Sequence, residues 1–290
     1  VIGDSIIYMR TYCAGILFIA TYNGVAAMLR ALGDSKTPLY FLIVSSIVNV
    51  VLDLVFVVAF KWGVFGVALA TIISQCISAV LVVRCLMKEE GAIRFEWKYI
   101  GIDKGVLLQT IRIGLPAGVQ GSLFSLSNVV IQSSINSFGA IIVAGNSAAG
   151  NIEGFVFVAM SAFSQAIVAF VSQNLGAGKY ERINKVVVIT QLCVIFIGLV
   201  MGNAVYFMGE QLLELYSDSA MVVEAGVRRL AIVCTTYALA GMMDVMVGAL
   251  RGLGYSVMPM IVSMIGACGL RILWLATIFQ IPAYHTIECV

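Results

Sequence analysis

The 290 residues are 61% hydrophobic and only 11% charged, with a mean hydropathy of +1.03, so they carry far more apolar surface than one soluble core of this size can hide. This excludes a water-soluble globular protein and points to a chain that crosses a bilayer several times. The net charge of +2 gives no sign of nucleic-acid binding, because the basic residues fall in short runs between apolar segments. The seven cysteines show no CxxC spacing and mostly lie inside those segments, where they read as small hydrophobes rather than disulfide partners or metal ligands.

A membrane span needs about 20 predominantly apolar residues. Taken in chain order, the sequence predicts eight, over roughly 6–30, 38–60, 64–87, 107–137, 141–172, 184–208, 221–250 and 257–281. Helices are expected throughout, since lipid satisfies no backbone hydrogen bonds and the runs are too long and too uniformly apolar for barrel strands. The connections after spans one, three, five and seven hold twelve of the seventeen basic residues, from Arg30 and Lys36 to Arg251. The other side holds Arg10, Lys61, Arg228 and Arg229 beside several acids. By the positive-inside rule the first set of loops faces the cytoplasm.

The turn after span one reads Leu29-Arg30-Ala31-Leu32-Gly33-Asp34-Ser35-Lys36-Thr37-Pro38. It returns after span seven as Leu250-Arg251-Gly252-Leu253-Gly254-Tyr255-Ser256-Val257-Met258-Pro259, with six identities in ten positions at a constant offset of 221. In both copies Gly marks a helix stop and Pro sits in the first turn of the next helix. The repeat unit is then six helices, and an even number gives copies of the same orientation. The longest polar stretch follows span three. The expected organisation is therefore residues 1–88 as the last three helices of one lobe, 89–105 as a cytoplasmic linker, and 106–290 as the first five helices of a second lobe. The fold class is an all-α polytopic membrane protein of about eight transmembrane helices, built as two pseudo-symmetric helical lobes. Against two six-helix lobes, such a chain is eight-twelfths of a whole.

Charged and polar residues inside the spans are the candidates for chemistry, because a carboxylate at the centre of a span costs about 2.5–3.5 kcal/mol on insertion scales. Asp53 lies in span two with Asn49 one turn before it on the same face. It is either a cation or proton site or an aspartate near the outer interface paired with a neighbour. Asp244 in span seven is either a partner for a cationic substrate or one half of an ion pair with Arg271. Glu153, near Asn146 and Asn151, is either cavity lining or a helix-packing residue. Span four carries Gly121, Ser125, Asn128, Gln132 and Asn136 on one face, which suits either a water-filled path or polar contact between helices. Arg271 reads as essentially the one arginine within the membrane. His285, after Pro282, falls in a terminal loop.

The duplicated turn, Gly114-Leu115-Pro116 opening span four, and Val171-Ser172-Gln173-Asn174-Leu175-Gly176-Ala177-Gly178 with Glu181-Arg182 closing span five together resemble the multidrug and toxin extrusion (MATE) family. The resemblance covers essentially the whole chain, as family helices four to eleven. It implies a two-lobe secondary antiporter that exports organic cations and drugs across the cell membrane (the cytoplasmic membrane, if bacterial) in exchange for H+ or Na+, by alternating access. It also implies a monomer in a lipid bilayer with no cofactor beyond the coupling ion and no nucleic-acid partner. Asn49, Asp53 and Thr71 match family positions for cation or proton binding, which makes Na+ at Asp53 the one metal expected. Asp244, Glu153, Asn128 and Gln132 are the substrate-cavity candidates. The family's second-lobe acidic positions are held here by Phe124 and Ala240, so a sodium site in that lobe is not expected. Two alternatives are a flippase for lipid-linked or polysaccharide precursors, which would need several cationic side chains in its cavity, and a nonfunctional fragment. An enzyme is not expected, since HExxH, GxSxG and intramembrane His–Asp pairing are all missing.

Overall fold

The structure is a computed structural model that describes residues 2–88, 94–96, 98 and 101–281, with the side chain of Thr235 set aside. His285 and eight of the seventeen residues of the predicted 89–105 linker lie outside the described residues. The described residues hold helices and no strand. They fall into two compact units, Val1–Gly101 and Ile102–Val290.

The first unit contains α1 (Ile2–Ala14), α2 (Ile16–Ala31), α3 (Lys36–Leu54, continued by a π-helical segment Val55–Ala59) and α4 (Gly63–Lys88). Predicted span one is a bent pair, α1 and α2 meeting at 48°. The break falls at Gly15, where a Cβ would come within 2.6 Å of Ile72 Cγ1, so the missing side chain lets this corner lie against α4. Tyr22, Ala26, Leu29, Ala79, Val82 and Leu86 form the core between α2 and α4. Helix α3 buries only Pro38 and Ser45, while Leu42, Ile43, Ile47, Val50 and Leu54 are exposed around it. A helix apolar everywhere but on the side that carries Ser45, Asn49 and Asp53, with so little protein covering it, belongs in lipid.

The second unit contains α5 (Lys104–Asn136), α6 (Ala140–Gly176), α7 (Tyr180–Glu214), α8 (Ala220–Gly252), α9 (Val257–Ser263), a π-helical segment Met264–Gly269 and α10 (Leu270–Ala276). Helices α6, α7 and α8 share a core that includes Val156, Met160, Ile167, Val171, Val194 and Val245. They approach closely because glycines face backbone. A Cβ on Gly202 would meet the Cys234 carbonyl at 2.5 Å, and one on Gly248 would meet the Ser164 carbonyl at 2.7 Å. Small residues at such crossings are how helices associate where lipid supplies no hydrophobic drive. Helix α8 bends by 48° at its middle, where the Thr236 hydroxyl donates back to the Val233 carbonyl at 2.9 Å.

Among the described residues, five helices are long and apolar enough to cross a membrane on their own, and up to seven if each bent pair is one span. The remaining predicted span, the fourth (107–137), is a 33-residue helix that falls short on apolarity because polar residues are spread along it, from Gln109 and Thr110 to Gln132 and Asn136. It begins at Lys104, where the Asp103 carboxylate accepts from the Val106 amide at 2.9 Å. Gly114-Leu115-Pro116 therefore lies inside this helix rather than at its opening, and Pro116 leaves the Arg112 carbonyl without its helical donor.

The two copies of the turn have the same backbone. Gly33 (φ 95°) and Gly254 (φ 89°) both take left-handed conformations. Gly33 N–H donates to the Arg30 carbonyl and Asp34 N–H to that of Leu29, just as Gly254 donates to Arg251 and Tyr255 to Leu250, all at 2.9–3.0 Å. This is a Schellman closure in each copy. Pro38 and Pro259 are both buried. Of the four positions at which the copies differ, one changes how the next helix is capped. Asp34 accepts from the amides of Lys36 (3.0 Å) and Thr37 (3.1 Å), capping α3, whereas Tyr255 has no carboxylate to offer.

The hydrogen bond from the Thr37 side chain, followed by those from the Thr37 and Lys36 amides, holds the Asp34 carboxyl below its ordinary value. A lowered folded-state pKa means that the cap's contribution is complete above the ordinary carboxylate range and is lost as pH falls through the depressed value. The protection of the Lys36 and Thr37 amides, measured as exchange relative to the intrinsic rate at each pH, is therefore expected to fall only below the ordinary carboxylate range in the native protein. In Asp34→Ala that protection is expected to be low already at neutral pH.

Candidate functional site

The second unit encloses a cavity of about 1090 Å³ lined from α5, α6, α8 and the α9–α10 segment. The face of α5 that enters it runs Gln120, Phe124, Asn128, Ile131, Gln132 and Ile135. Each polar member is held from another helix or from one turn along its own. Gln120, 6% exposed, accepts from Arg251 Nη2 at 2.7 Å and donates to Ser263 Oγ at 2.9 Å, tying α5, α8 and α9 at one level. Eight residues further along, Arg271 Nη1 donates to Asn128 Oδ1 at 3.3 Å. Both contacts join residues 143 apart, so α5 and the α9–α10 segment run side by side in the same direction. Gln132 donates to Asn136 at 3.0 Å and accepts from Asn146 at 3.5 Å. Of the predicted stripe, Gly121, Asn128 and Gln132 line the cavity, Asn128 and Gln132 also bond to neighbouring helices, and Ser125 and Asn136 are not part of the cavity wall.

The charges are set out along α6 and α8. Arg229 binds Glu153 with both ends of its fork, Nε to Oε1 at 2.7 Å and Nη2 to Oε2 at 2.9 Å, and its Nη1 also reaches Asn146 Oδ1. Asp244 lies on the wall two turns before Arg251, and its backbone carbonyl accepts from Ser164 Oγ at 2.9 Å. No ion pair joins Asp244 to Arg271 among the described residues; the Arg271 guanidinium has turned to Asn128 instead. Asp244, Glu153, Asn128 and Gln132 all line this one cavity, as do Phe124 and Ala240.

One expectation needs correction. Arg271 is not the lone arginine among the spans: Arg228 and Arg229, which predicted span seven already contained, lie in α8, and both line the same cavity as Arg251 and Arg271. The signals were present in the sequence. An acid and a base inside two different apolar segments, Glu153 and Arg229, call for each other, since neither is stable in lipid alone. Starting the polar face of α5 at Gln120 rather than Gly121 brings the clasp residue into it.

In the first unit, Asn49 and Asp53 share a face of α3 one turn apart, just before the π-helical segment. Asn49 Nδ2 and Asp53 Oδ1 are buried and make no hydrogen bond among the described residues. The Ser45 hydroxyl donates to the Ser74 carbonyl at 2.7 Å and sets the antiparallel register of α3 on α4. That register puts Thr71, one turn from Ser74, near the level of Asn49. The Thr71 hydroxyl donates to its own helix at Val67 (3.0 Å), leaving its lone pairs to accept. Carboxylate, amide carbonyl and hydroxyl oxygens are the hard donors that a proton or small hard cation prefers.

Long apolar helices, uncovered apolar faces and a charged cavity between helices define a multi-pass membrane protein. The model of the MatE family matches residues 116–276, more than half of the chain, and the chain belongs to that family, whose members are transporters rather than enzymes. A shorter match, residues 6–139, is to the model described as lipid II flippase MurJ. The chain is 27% identical over 281 residues to the probable multidrug resistance protein YoeA of Bacillus subtilis, covering 93% of this chain and 61% of that protein. Among solved structures, a MATE protein in complex with MaL6 superposes with a TM-score of 0.89 at 19% identity, over 98% of this chain and 64% of that one. The Vibrio cholerae MATE transporter VcmN superposes at 0.84 with 25% identity, over 94% and 62%. The chain thus spans about three-fifths of the length of the relatives it matches.

Truncating one member of the Glu153–Arg229 pair strands the other charge. Arg229→Met alone is expected to cost about 3–5 kcal/mol, and adding Glu153→Gln should recover most of it, because removing both charges removes the desolvation cost too. Thermal unfolding of the two single variants and the double variant in detergent measures the cycle.

Proposed function

We propose that this chain is the central part of a secondary antiporter that exports small organic cations across the cell membrane in exchange for H+ or Na+. In this reading it works as a monomer, by alternating access, with no cofactor beyond the coupling ion. The observation that carries the reading is the pair of buried, unpartnered polar atoms on α3, Asp53 Oδ1 and Asn49 Nδ2. An unsatisfied buried polar group costs about 1–3 kcal/mol, more if charged, and within a span only a protein partner, water or an exchangeable ion can relieve it. Asp53 would hold the coupling ion, with Asn49 and Thr71 supplying further oxygens. A change in its occupancy would alter how α3 packs on α4, and an ion can drive transport only by favouring one packing over another. The α5 face, Glu153 and Asp244 would line the substrate compartment.

A second reading, a flippase for a lipid-linked precursor, draws on the four cavity arginines and on the 6–139 match. The organic-cation reading is preferred because it also gives Asp53 a task.

Transport of a cationic dye into everted vesicles by the full-length protein, with pH and sodium gradients imposed separately, tests the proposal. Asp53→Asn is expected to lower gradient-driven transport by about tenfold or more, a loss of roughly 1.4 kcal/mol or more of coupling, at unchanged membrane abundance. Undiminished transport by that variant would refute the assignment. The gradient that drives the unmodified protein identifies the ion.

A further inference from the structure

We infer that the cavity of the second unit contains a subsite for an acidic group centred on Arg271, so that the organic cations accepted there are small molecules that also carry a carboxylate, sulfonate or phosphate. The inference rests on reading the cavity as the compartment of an exporter and narrows what that compartment accepts.

Charge balance is the first argument. Four guanidinium groups and two carboxylates, Asp244 and Glu153, line one cavity. Glu153 is committed to Arg229 through both of its oxygens, and Arg228 donates to Glu224 at 2.8 Å. That leaves Asp244 against Arg251 and Arg271. Even with Glu224 counted among the cavity acids, the arginines are in excess by one.

The second argument is how Arg251 and Arg271 are held. Neither has an ion pair among the described residues; the partners they do have are neutral amide oxygens, of Gln120 at 2.7 Å and of Asn128 at 3.3 Å. A guanidinium carries five N–H donors and fits a carboxylate, sulfonate or phosphate with two parallel hydrogen bonds. Arg251 Nε is buried with no partner. An amide fixes where the guanidinium sits without neutralising it, which preorganises a cation for an anion that comes and goes.

Placement is the third. Along α5, Asn128 stands about 12 Å from Gln120, and along α8 Asp244 stands about 10 Å from Arg251 in the same direction. Arg271 and Asp244 thus lie near one level of the same cavity with opposite charge and no bond between them. One molecule bearing both a basic and an acidic group can satisfy both residues, whereas a simple monocation satisfies Asp244 and leaves Arg271 facing a like charge.

The test reads binding rather than transport, so it stands or falls separately from the role of Asp53. The purified full-length protein, in nanodiscs of neutral lipid, is titrated with three probes: a naphthyl sulfobetaine, the matching naphthyl trimethylammonium ion, and a short-chain phosphatidylethanolamine. The sulfobetaine or the phosphatidylethanolamine is expected to bind about tenfold more tightly than the ammonium probe, and whichever binds says whether the acid arrives from water or on a lipid headgroup. Arg271→Gln, which can still reach Asn128, is expected to weaken the acid-bearing probe about tenfold or more and to leave the ammonium probe unchanged or tighter. Arg271→Lys, which keeps the charge, should stay within about threefold of the unmodified protein. Equal binding of acid-bearing and ammonium probes by the unmodified protein overturns the inference even if the Gln variant does not fold. So does an acid-bearing probe bound as well by a folded Arg271→Gln protein as by the original.

Discussion

Gln120 receives a guanidinium proton from α8 and gives an amide proton to α9, so one buried side chain holds three helices at a single level. The rest of the second unit depends on contacts of this kind. In lipid a polar side chain cannot fall back on water, and every polar group within a span must be answered by another helix or by a cavity. Asn128 with Arg271, Gln132 with Asn146, and Glu153 with Arg229 meet the same demand along the cavity wall. The compartment is the space between helices joined by polar contacts on one side and by close-packed glycines on the other.

The two copies of the turn show how one local sequence serves two surroundings. Gly33 and Gly254 close their helices with the same left-handed residue and the same pair of backbone hydrogen bonds. The arginine before each goes a different way. Arg30 is exposed at the end of α2, while Arg251 is half-buried and reaches Gln120. The backbone motif is dictated by Leu-Gly and Pro alone, which leaves the arginine free to be used by whatever packs beside it.

Much of this was legible in the sequence, and for physical reasons. Apolar runs longer than a bilayer is thick allow nothing but helices, and all eight expected segments are helical. Glycines after Leu32 and Leu253 marked the stops, because few other residues tolerate positive φ. Asp53 announced itself as a carboxylate in an apolar run. What was not legible depends on partners far apart in the chain. Arg229, inside predicted span seven, was counted only as an outer-side charge, because its answering acid is 76 residues away. Arg271 looked ready to pair with Asp244, yet the side-by-side run of α5 and α10 brought Asn128 to it first. Gln120 was passed over because a single helical face does not reveal a contact with Ser263, 143 positions later.

The central claim is that the polar face of α5 borders water within the membrane while its other faces border apolar surroundings. Single cysteines in an otherwise cysteine-free full-length protein, treated in intact cells with a membrane-impermeant thiol reagent, test it most directly. Asn128→Cys and Gln132→Cys, on the cavity wall, are predicted to react, and Leu126→Cys and Val129→Cys, exposed on the apolar side, are predicted to stay unlabelled. Equal labelling of all four, or labelling at 126 and 129 alone, would contradict the account.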